Sequence, residues 1–111
     1  MTPEAAQKIV KLLGLGARGR LVVVGAEQVR AAAKKGKLSL AVVASDASEN
    51  SRDKVLSVLK AKNIRAIEGI SAAQLGAAFG RESTAAVGVL DADLARGIQK
   101  AAHESTAGKI V

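Results

Sequence analysis

The spacing of hydrophobic residues changes period repeatedly along the chain, and each change marks an element. From Glu4 to Leu15, residues Ala5, Ala6, Ile9, Val10, Leu12 and Leu13 recur at helical spacing, and Pro3 suits a first turn. Leu21 to Val24 is a β-branched run stopped by Gly25, the mark of a short buried strand. A second helix is predicted from Gly25 to Lys35, with Lys34 and Lys35 against its carbonyl end and Gly36 as a left-handed cap. Leu38 to Ala44 is the second strand. Asp46-Ala47-Ser48-Glu49 has capping-box spacing and predicts a third helix to about Lys62, with Val55, Leu56, Val58 and Leu59 inward and Arg52, Asp53 and Lys60 toward solvent. Arg65 to Glu68 reads as a third strand. Ser71 and Gln74 form another capping box, opening a short helix that ends near Gly80. Ala85 to Leu90 is the fourth strand. Asp91 should cap a last helix whose Leu94, Ile98 and Ala102 share a face, with fraying from about Ser105.

Strands and helices alternate with no linker, so the expected architecture is α/β, a three-layer αβα sandwich around one four-stranded sheet. Spacing alone leaves the strand directions open. At 111 residues the chain is long enough for one domain, read as residues 1–104 with a frayed tail over 105–111. The absence of cysteine excludes a disulfide framework and thiolate chemistry. No apolar run approaches the roughly 20 residues that a membrane span needs, and Met1 to Leu15 lacks a cleavage-site pattern, so a cytoplasmic protein without membrane contact is expected.

Charge narrows the function. The formal net charge is +7, which favours a polyanionic partner, yet Phe79 is the only aromatic residue. Modules that stack bases on paired aromatic side chains are therefore excluded. Residues 1–37 hold eight basic against two acidic side chains, a net +6, and the rest hold nine against eight, a net +1. An acidic partner should accordingly meet the N-terminal third.

Three candidate motifs fail in context. Gly14-Leu15-Gly16-Ala17-Arg18-Gly19 matches the dinucleotide fingerprint, but it follows a helix and precedes a strand, the reverse of what pyrophosphate binding needs. These glycines should close a helix and turn the chain. His103, the only histidine, reads as a surface residue, and Asp91 and Asp93 suit a helix start rather than an acid–base pair. Ser45-Asp46 stays open between capping and ligand binding, because ligands often bind at the carboxyl ends of strands.

The second helix remains. Free amides after Gly25, then Glu27, Gln28 and Arg30, then Lys34, Lys35 and Lys37, give groups able to hold phosphates and address base edges. Gly25-Ala26-Glu27-Gln28-Val29, Lys34-Lys35-Gly36, the strand through Ala44, Asp46, Leu75 to Gly80 and the strand Ala85 to Leu90 together resemble the ribosomal L-seven-Ae family of kink-turn RNA binders. Lys11 to Leu15 and Ala44 to Asn50 resemble its small bacterial YlxQ-like branch.

The resemblance implies a mixed four-stranded sheet and noncatalytic binding of structured RNA, with ribosomal RNA a candidate partner; a monomer without a cofactor is expected. The resemblance also implies that the second helix enters a groove at sheared G·A pairs through Gly-x-Asn-Glu-x-x-Lys, while a loop before the last strand covers bulged nucleotides. Carried over, the motif falls on Gly25, Glu27, Gln28 and Ala31, and three of its four identities differ. Glu27 only accepts hydrogen bonds, and Ala31 lacks a cation, whereas Gln28 can still address a purine edge and Arg30 or Lys34 can supply charge. The covering loop falls on Gly80-Arg81-Glu82-Ser83-Thr84, polar where the family places an apolar wedge. Relaxed kink-turn specificity is thus expected at a face made of Gly25 to Lys37, Ser45, Asp46 and Arg81 to Ser83. A protein-binding adaptor is the alternative.

Overall fold

The computed structural model describes the backbone of residues 1–110 and the side chains of residues 1–103. Its elements run α1 (Pro3–Arg18), β1 (Val22–Val24), α2 (Ala26–Lys34), β2 (Leu40–Ala44), α3 (Glu49–Ala61), β3 (Ala66–Ile70), α4 (Ala72–Ala77), β4 (Ala86–Val89) and α5 (Ala92–Ile110). The expected fraying of 105–111 falls outside the described side chains. The strands form one sheet in the order β1-β4-β2-β3. β4 lies between β1 and β2 and runs antiparallel to both, with Val89 opposite Val22 and Leu40. β2 and β3 are parallel, so the sheet is mixed, as the resemblance implies.

Side-chain alternation along the strands divides the core in two. Leu40, Val42 and Ala44 of β2, with Val87 and Val89 of β4, face Ile9 and Leu13 of α1, Leu75 of α4 and Ile98 of α5. Ala41, Val43 and Ala86 point the other way, to Val29 and Ala33 of α2 and Val55 and Leu59 of α3. β2 is buried at every position because both of its faces are covered. Gly88 makes room for the side chains of Leu38 and Val23: a Cβ there would lie 2.7 Å from Leu38 Cδ2 and 2.9 Å from Val23 Cγ2.

Three expectations are corrected and a fourth, the shared face of α5, is refined. α1 continues to Arg18, so Gly14 and Gly16 lie inside it and only Gly19 closes it. Gly16 is there for packing, since a Cβ would meet Leu94 Cδ2 at 2.5 Å, and non-glycine Arg20 takes the left-handed turn at φ 59°. The cap of α3 is Ser48, which accepts the Ser51 amide at 3.2 Å, and Asp46 has another partner. Arg52 does not project freely but pairs with Glu68 of β3, and the hydrogen bond and charge of Glu68 raise the pKa of its guanidinium. The inward face of α5 is centred on Ala95, Ile98 and Ala101, with Leu94 and Ala102 at its margin. Other boundary signals hold. Asp91 accepts the Leu94 amide at 2.8 Å, Ser71 and Gln74 form the capping box of α4, and Gly36 follows α2 at φ 71°.

Candidate nucleic-acid interface

At one end of the sheet, where β1, β2 and β3 finish and β4 begins, four segments are tied by backbone hydrogen bonds. Gly25 turns the chain from β1 into α2 at φ 105°, a conformation that favours glycine, and donates its amide to Ala86 at 2.8 Å. Ala44 donates to Ala85 at 2.8 Å, which brings the end of β2 beside the entry to β4. Ser45 then donates its amide to the Ile70 carbonyl at 3.0 Å and its hydroxyl to the same oxygen at 3.4 Å. Asp46 Oδ1 accepts the Ala72 amide at 2.7 Å. This carboxylate therefore serves the start of α4, and with Ser45 it fastens the ends of β2 and β3 together.

The loop before β4 closes this end. Thr84 is buried, donates its amide to the Ala72 carbonyl at 3.0 Å, and so anchors the loop to the first turn of α4. Arg81 donates to the Gly76 carbonyl at 2.9 Å. Gly76 is needed for the close fit, because a Cβ would lie 2.6 Å from Ser83 Cα and 2.9 Å from the Arg81 carbonyl oxygen. Arg81, Glu82 and Ser83 are exposed above these anchors. Sequence reasoning named Gly76 only within the resemblance and Thr84 only as the last residue of the covering loop, and gave neither a part in anchoring that loop. A glycine inside a capped helical pattern was the available signal.

α2 begins at this end of the sheet and leads away from it. α1, α3, α4 and α5 each have a side chain that accepts an amide of the first turn, whereas α2 starts at Gly25 with no side-chain cap. Its opening amides therefore remain available to an anion. Ala26 is half-buried against α3, Glu27 and Gln28 are exposed, and Arg30 is half-buried with its Nε enclosed and without a protein acceptor. Ala31, Lys34, Lys35 and Lys37 are exposed.

The three lysines lie at the far end of α2, about 14 Å along the axis of a nine-residue helix. Here Ser39 donates its amide to the Val89 carbonyl at 2.8 Å, at the opposite end of the central strands. A shallow groove of about 220 Å³ links the ends, lined by Gln28, Ala31, Lys35 and Lys37 together with Val23, Ala32 and Leu90. Backbone hydrogen bonds thus bring Gly25, the end of β2 that leads into Ser45 and Asp46, and the end of the 81–84 loop to one end of the sheet, while Lys34, Lys35 and Lys37 lie at the other end of α2. Among the described residues no group of three or more His, Cys, Asp or Glu is placed to hold a metal, and no helix is long and apolar enough to cross a membrane.

Strand order, mixed direction and helix layering define an αβα sandwich of the L7Ae type. Residues 7–99 match the model of the ribosomal protein L7Ae/L30e/S12e/Gadd45 family, and the chain belongs to that family. A solved protein of unknown function from Bacillus halodurans C is 32% identical, with a TM-score of 0.79 over 85% of this chain and 95% of that one. The 15.5kD RNA binding protein of Giardia lamblia is 20% identical and superimposes with a TM-score of 0.75 over 96% of this chain and 92% of its own, a likeness of fold. None of the curated proteins matches the chain.

Proposed function

We propose that the protein binds structured RNA without catalysis, docking it on the N-terminal part of α2 and the loops beside it. The observation that carries this reading is that the uncapped start of α2, tied through Gly25 to Ala86, opens beside the strand into which the polar 81–83 loop leads, with Lys34, Lys35 and Lys37 at the other end of the same helix. Family membership and the fold shared with the Giardia RNA binding protein support it. Phosphates would meet the free amides and Arg30, with Lys34, Lys35 and Lys37 extending the track along the helix, while Gln28 would address a base edge. Glu27 and Ala31 stand where the resemblance implies asparagine and lysine, so discrimination falls by about 1–3 kcal/mol for each lost bidentate contact. A cytoplasmic monomer of the YlxQ-like branch acting on ribosomal RNA is the form of this reading that we favour.

The test is a gel-shift titration with a kink-turn RNA and with a version whose sheared pairs are replaced by Watson–Crick pairs, at two salt concentrations. Both should bind at low salt, with the kink-turn keeping an advantage as salt rises. Equal affinity at both concentrations would reject specific recognition. Absence of binding even at low salt would reject the RNA reading in favour of a protein partner. Arg30→Ala or Lys34→Ala should weaken binding and lower the salt slope by about one, while Lys60→Ala on α3 should change little.

A further inference from the structure

A second basic surface lies on the other side of the sheet. Arg65, just before β3, meets Arg96, Gln99, Lys100 and His103 of α5 around a shallow groove of about 380 Å³. Through Arg65, Gln99 and His103 the groove continues into a hollow of about 300 Å³ along Ala66 to Glu68 of β3, reaching Met1. All five side chains lining the first part are polar, and none is a carboxylate. Among the described residues Arg96 pairs with Asp93 and Glu68 with Arg52, while no described carboxylate lies within 4.0 Å of Arg65 or Lys100. Arg65, Arg96, Lys100 and His103 are all exposed.

Like charges gathered from two elements repel one another, so their convergence favours an anion between them. The groups match a phosphate backbone in kind: guanidinium forks, an ammonium point charge, and amide and imidazole N–H donors that do not require protonation. A protein partner would seek an apolar anchor, whereas the five side chains around the first part of the groove are all polar. α5 packs on the α1 side of the sheet and α2 on the α3 side, so a straight duplex held at α2 does not reach this groove.

We propose that the Arg65–Arg96–Lys100–His103 groove docks the sugar–phosphate backbone of a further RNA segment, so that the protein joins two RNA segments across its sheet. The proposal rests on the RNA-binding reading of α2, and the test separates the two. A short blunt A-form RNA duplex without sheared pairs is titrated by fluorescence anisotropy at several salt concentrations against the full chain, R65Q/K100Q, the charge-matched control K60Q/K62Q, and R30A/K34A. Circular dichroism checks that each is folded. The expected result is that R65Q/K100Q weakens duplex binding at least about fivefold and lowers the salt slope by about two, while K60Q/K62Q stays within about twofold. Equal losses in R65Q/K100Q and K60Q/K62Q, no loss in R65Q/K100Q, or no duplex binding by the unaltered chain would overturn it. Failure of the α2 reading shows separately, as unchanged kink-turn affinity in R30A/K34A, and leaves the duplex comparison intact.

Discussion

Asp46 leaves the end of β2 and accepts the Ala72 amide at 2.7 Å, so one carboxylate joins that strand to the first turn of α4. Removing it leaves an amide at a helix start to find water, although Ser71 still serves the Gln74 amide. Asp46→Ala should therefore cost about 1 kcal/mol, and Asp46→Asn, which keeps an accepting oxygen, much less. Urea denaturation measures the difference. This pairing was not legible in the sequence. Asp46 and Ser48 are both good cap residues two positions apart, and the local rule assigned the first to α3 because it cannot see an amide 26 residues further on. Ser71 and Asp91 were assigned correctly because their partners lie three residues away, within reach of a local pattern.

α4 is short, and much of its role lies in supporting the loop that follows. Gly76 allows Ser83 to sit against its backbone, and Arg81 and Thr84 are held by α4 carbonyls on either side of that contact. Gly76→Ala should cost about 1–3 kcal/mol through overpacking, and should lower RNA affinity more than Asp46→Asn does because it displaces residues 81–83. Denaturation and gel shift on the same two variants check both parts. Element type was readable along most of the chain, since valine-rich runs and helical spacing are strong signals. The end of α1 was not, because glycine reads as a stop in sequence. Gly14 and Gly16 instead continue the helix, Gly16 tightly against Leu94 and Val22. Only the packed partner reveals that requirement.

On the scale of the molecule, the sheet separates two cores that share no buried residue, one beneath α1, α4 and α5 and the other beneath α2 and α3. Ile9→Val should cost about 0.5–1.5 kcal/mol and Leu59→Ala about 2–5 kcal/mol, and the double variant should equal their sum within about 0.5 kcal/mol. A double-mutant cycle by denaturation tests that independence. Charge was only partly legible at this scale. Counting along the chain located the excess in residues 1–37, but the near-neutral remainder conceals Arg65, Arg96 and Lys100, which folding brings together from positions up to 35 residues apart. The position of β4 has a consequence for synthesis. Val22 pairs with Val89, 67 residues later, and β2 needs the same strand on one side, so a ribosome must release most of the polypeptide before the middle of the sheet can form. Until then β1 has no neighbour, and the nascent chain relies on local helices and the β2–β3 pair to keep its valines from other chains.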